Sequence, residues 1–136
     1  MRARALLAAA LLGCFEVGCL VQIEHVGDAS REFAAARGEA LRVQGRPGPA
    51  KEFNALVFDK SEHKLVRVSV PMWLVRKVAK HAQDGDDDRA ERDGDEDYAA
   101  RAVRRHVSWQ EVERAGLGIL VEVQEDDGAQ VLVWLR

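Results

Sequence analysis

Apolar and polar positions alternate most cleanly in two stretches of the chain. Leu65 to Val70 (LVRVSV) sets Val66, Val68 and Val70 on one face, and Phe53 to Asp59 (FNALVFD) reads as a strand just before it. The polar run at 60–64 (KSEHK) joins them, which predicts a β-hairpin with a longer loop. Near the other end, Gly118 to Gln124 (GILVEVQ) puts Ile119, Val121 and Val123 on one face. Glu125 to Gly128 is an acidic turn, and Ala129 to Leu135 (AQVLVWL) directs Val131, Val133 and Leu135 inward. This is a second hairpin.

Helical spacing lies between the hairpins. Met72 to Ala82 (MWLVRKVAKHA) carries Leu74, Val75 and Val78 as an apolar stripe, and Pro71 suits a first turn, where its missing N–H is not needed. Residues 98–105 (YAARAVRR) regain some helical character. Ser108-Trp-Gln-Glu111 is a capping box, Val107 and Val112 occupy the staple positions, and Gly116 stops the short helix near Ala115. Upstream, Leu20 to Val26 alternates loosely and reads as a short strand or an extended tether. Ala29 to Gln44 is a helix with Asp28 and Ser30 as capping residues, ended by the Gly45–Pro49 linker.

The predicted fold class is α+β. Two hairpins in a ββα–αββ order build a four-stranded, mostly antiparallel sheet, with helices on one face and an N-terminal helix ahead of it. Strict alternation leaves Leu56, Phe58, Leu65, Leu120, Leu132 and Trp134 on the second face. Burying each large side chain stabilises by roughly 1.5–3 kcal/mol, so this face calls for a cover. The 29–44 helix, a second copy of the chain, or a different protein could supply it, and the six residues form a candidate interaction face.

The first residues change the picture. Met1 to Arg4 is a short basic stretch, Ala5 to Leu12 an apolar run, and Leu11-Leu12-Gly13-Cys14 resembles a bacterial lipobox. Residues 1–13 then read as a lipoprotein-type signal peptide, with Cys14 as the lipidated new N-terminus, residues 14–49 as tether, helix and linker, and 50–136 as the α+β domain. The expected location is the cell envelope, anchored to the membrane by lipid; if this stretch is instead a buried helix, the protein is cytoplasmic. The apolar run is too short to span a bilayer.

Charge is unevenly spread. Residues 84–97 (DGDDDRAERDGDED) hold nine acids and two arginines; taking that −7 from the whole-chain −3 leaves +4 elsewhere. Such a balance does not suit a dedicated nucleic-acid binder. Asp84, Asp86, Asp88 and Asp95 follow the spacing of a calcium loop, but Arg89 stands where the turn glycine is required. The competing reading is a solvated acidic linker. The body of the chain has no cysteine, so thiolate zinc sites are excluded there. Four scattered histidines form no ligand pair, the serines lie in no nucleophile elbow, and no glycine loop precedes a helix. No catalytic residue and no cofactor is expected.

Leu65 to Lys77 (LVRVSVPMWLVRK) and Gly118 to Leu135 (GILVEVQEDDGAQVLVWL), joined by a capped helix, resemble small bacterial domains found in SHOCT-like proteins and at the start of LiaX-type envelope-stress proteins. The likeness covers about residues 53–82 and 107–136, and the 84–97 insert departs from it. It implies a non-catalytic module that can self-associate and brings no catalytic residues. The sequence therefore points to a lipid-anchored envelope protein acting through protein contact, with a homodimer among the candidate assemblies and a calcium-responsive module as the alternative.

Overall fold

A computed structural model describes residues 20–83, 102–103 and 105–136. Its elements are β1 (Leu20–His25), α1 (Ser30–Val43), β2 (Glu52–Asp59), β3 (Lys64–Pro71), α2 (Met72–Gln83), α3 (Trp109–Arg114), β4 (Gly118–Gln124) and β5 (Gln130–Leu135). The described strands form one five-stranded sheet in the order β1-β3-β2-β5-β4, with every neighbouring pair antiparallel.

Both expected hairpins are present. The β2–β3 turn is held by Asp59, whose Oδ1 accepts from Ser61 N–H at 2.8 Å, Ser61 O–H and Glu62 N–H, an Asx-type turn. The β4–β5 turn closes through Glu125 and Gly128, with Gly128 at a φ of 88° that favours glycine. The four-strand order expected from the hairpins is corrected by β1. It adds a fifth strand beside β3, with Gln22 opposite Arg67 and Ile23 opposite Val66.

The helices are divided between the two faces of the sheet, not gathered on one. Ala29, Phe33, Ala36 and Ala40 press onto Leu56, Phe58, Leu65, Leu132 and Trp134. Small alanines let the α1 backbone lie close to the strands. On the opposite face Val57, Val66, Val131 and Val133, with Ala55 among them, form a valine-rich layer. Ala102, Val103 and Val107 pack against it, and Met72, Val75, Val112 and Trp109 extend it around Leu135.

Local capping follows the sequence in α3. Ser108 Oγ accepts from Glu111 N–H, and the Glu111 carboxylate accepts from Ser108 N–H at 2.7 Å. In α1 the capping position is Ala29, and Asp28 instead holds the first turn by accepting from Ser30 N–H and O–H. Pro71 is the last residue of β3, opposite Glu52, and not the first residue of α2. The apolar stripe of α2 is shifted too: Met72 is buried, whereas Trp73 and Val78 are exposed.

Candidate interaction site

Five of the six residues expected on an open second face are core. Leu56, Phe58, Leu65, Leu132 and Trp134 are buried under α1, so the chain's own helix supplies the cover. The sixth, Leu120, lies on the other side of the sheet. A register shift between Ile119 and Val121 places Ile119 opposite Trp134 and Val121 opposite Val133. The extra residue of this β-bulge, Leu120, therefore joins the valine layer, while Ile119 packs with the α1 cluster. Both depart from the faces that alternation predicts. Cys14 and the calcium-loop candidates Asp84, Asp86, Asp88 and Asp95 lie outside the described residues.

The two edges of the sheet differ sharply. At β4 the bulge at Leu120 interrupts the ladder, Gly45 N–H donates to Leu117 O at 3.3 Å, and Glu122 is paired with Arg37 of α1. Gly118 sits at φ 118°, and a Cβ there would come within 2.8 Å of Gln44 side-chain atoms, so helix and strand end are in close contact. Bulges, ion pairs and covering loops are the devices that keep an edge from pairing with another chain. β1 has none of them among the described residues. It is a regular six-residue strand without proline or lysine, and Leu20 and Ile23 on it are exposed.

Beside this edge, on the α1 face, is a cavity of about 280 Å³ lined by Gln22, Glu24, Glu32, Leu65 and Arg67. α1 contacts chiefly β4 and β5, which leaves this corner of the sheet for polar groups. The Oε2 atom of Glu32 is buried there with no hydrogen-bond partner. Two carboxylates, a carboxamide and a guanidinium can accept or donate hydrogen bonds to an incoming chain, but they include no nucleophile beside a base. Of the histidines, His25 ends β1 and is exposed, His63 occupies the turn at φ 53°, and His106 lies 3.4 Å from Glu125. Among the described residues no three His, Cys, Asp or Glu are grouped to hold a metal ion. No described helix is long and apolar enough to cross a membrane.

A second polar cluster closes the far end of the same face. Arg136 donates to both Glu52 oxygens, at 2.8 and 3.1 Å, and to Glu39 of α1, so it ties helix to sheet. Ser69 O–H also donates to Glu52. Partial burial pushes the Glu52 carboxyl up, but the hydrogen bonds from Arg136 and Ser69 and the Arg136 charge outweigh it and hold the carboxyl below the ordinary glutamate range. A depressed folded-state value gives stability that is present above the unfolded-state value and lost as pH falls through the folded one. Arg136→Gln should therefore lower the melting temperature at neutral pH and shrink the gap to wild type under acid conditions, below the ordinary glutamate value. Parallel melts of both proteins across that range check this; a gap that widens in acid contradicts it.

No protein-family model, curated protein or solved structure matches this chain.

Proposed function

We propose that the protein is an exported, lipid-anchored envelope protein that works by contact with other proteins and not by catalysis. The observation that carries the location is the run from Met1 to Cys14: basic start, apolar stretch, small residue, cysteine. Lipid at Cys14 leaves only five residues before β1, so the contact strand would be held close to the membrane. The contact reading is supported by the contrast between a protected β4 edge and an unprotected β1 edge, and by the resemblance of the hairpins to envelope-stress domains. The calcium-responsive alternative rests on the Asp84, Asp86, Asp88 and Asp95 spacing alone.

The intact mass of the membrane fraction from cells expressing the full-length chain tests the location, with a Cys14→Ser variant beside it. A chain beginning at Cys14 and carrying diacylglycerol and acyl mass is expected, and the variant should lack it. An unprocessed soluble wild-type chain overturns the reading.

A further inference from the structure

We propose that a second copy of this chain pairs with the outer edge of β1, antiparallel and across a two-fold axis at Ile23. The inference deepens the contact reading above by naming the partner, and it rests on that reading.

The backbone fixes which residues are available. Val26 N–H donates to His63 O at 2.8 Å, and Met72 N–H donates to Lys51 O at 2.9 Å. In an antiparallel ladder, pairs that exchange both bonds alternate with pairs that exchange none. With the observed registers, both bonds set the same phase. β3 directs Lys64, Val66, Val68 and Val70 to β2, and Leu65, Arg67 and Ser69 to β1. Leu20, Gln22 and Glu24 thus turn their backbone groups to β3. Val21, Ile23 and His25 turn theirs outward, away from the sheet.

A strand added to this edge must meet outward residues with outward residues. For two copies of β1, one register uses all three on each chain: Ile23 opposite Ile23, with Val21 opposite His25 on either side. The neighbouring registers pair fewer outward residues, and one of them sets Glu24 against Glu24. The Ile23-centred register sets Glu24 against Gln22, so like charges stay apart. It also covers Ile23, which is 40% exposed in the single chain.

Charge complementarity points the same way. Arg67 stands beside Gln22 in the sheet, and neither Arg67 nor Glu24 has an ion-pair partner among the described residues. In the paired sheet, Glu24 of the second copy is the next residue beyond Gln22 on Arg67's own row. Two strand spacings, about 10 Å, separate their backbones, a span that an extended arginine and a glutamate bridge together. The contact occurs twice by symmetry. A β1–β4 pairing would instead be head-to-tail and meet the bulge at Leu120.

Cross-linking tests this in the full-length chain carrying Cys14→Ser and Cys19→Ser. Backbones of an exchanging pair lie about 5.5 Å apart, within the span of a disulfide. Under mild oxidation, Ile23→Cys should form a covalent dimer several-fold faster than Leu41→Cys, although Leu41 on α1 is more exposed at 54%. An equimolar mixture of Gln22→Cys and Glu24→Cys should cross-link faster than either alone. In sedimentation, Ile23→Pro should lose the dimer and keep its circular dichroism, because the N–H it removes is not used by β3. Cross-linking no faster than at Leu41, or a dimer that survives Ile23→Pro, overturns the proposal. These chains carry no lipid, so the result is independent of the anchor and of its own test.

Discussion

Trp134→Ala should destabilise the fold by about 3–5 kcal/mol, a large part of the stability of a domain this size. Trp134 is 1% exposed, lies on the interior strand β5 between β2 and β4, and packs among Leu56, Leu132 and Phe33. Removing its ring deletes the largest side chain of the α1-side core. The fixed alanines of the helix cannot reach down to fill the space. Urea denaturation followed by far-UV circular dichroism checks the size of the effect. Trp134→Phe should cost less, partly because Trp134 Nε1 is buried without an acceptor and phenylalanine discards that donor. Equal losses from the two variants would show that cavity volume is not the governing quantity.

Ala40→Asp should be at least as damaging, by a different route. Ala40 is fully buried where α1 meets the sheet, within a cluster of apolar side chains. An uncompensated carboxylate at such a place costs several kcal/mol. The new carboxyl would have its protonation equilibrium pushed up by burial, so the deficit relative to wild type should narrow as pH falls. That trend separates a buried charge from a merely bulky substitution. Leu41→Asp, one residue along and facing solvent, should change stability by no more than about 0.5 kcal/mol. Melting temperatures of the three proteins at neutral and acid pH make the comparison. Similar losses at positions 40 and 41 would mean that α1 is not seated as described.

These two effects concern a helix whose place the sequence only half disclosed. Residues 52–59 with 64–71, and 118–124 with 130–135, were legible as hairpins because their partners are close in sequence and their alternation is strong. The capping box at Ser108 was legible for the same local reason. β1 was legible only as a short strand or a tether, because LVQIEH alternates weakly and its partner β3 lies some forty residues downstream. Only that long-range pairing turns a short strand or tether into a sheet edge. Strict alternation places Leu120 on the wrong face because the bulge inserts one residue between Ile119 and Val121. Of the six residues of the candidate interaction face, Leu120 lies on the other side of the sheet for that reason, and the 29–44 helix, one of the covers the sequence offered, lies over the other five. The edge of β1 carries no residue signature at all; it becomes visible only once strand order and hydrogen-bond phase are known.

The strand order also dictates a sequence of events. Phe33 and Ala36 are made early, yet the groups they pack on include Leu132 and Trp134, supplied about a hundred residues later. β5 sits between β2 and β4, so β4 cannot join the β1-β3-β2 part of the sheet until the last strand arrives. Long-range closures of this kind slow folding, because the chain gives up loop entropy before any contact rewards it. A nascent chain lacking its final residues has an unfilled slot beside β2, and its α1 helix has only Leu56, Phe58 and Leu65 of its buried strand partners to lie on. The α1-side core is therefore completed only when the last strand has been made.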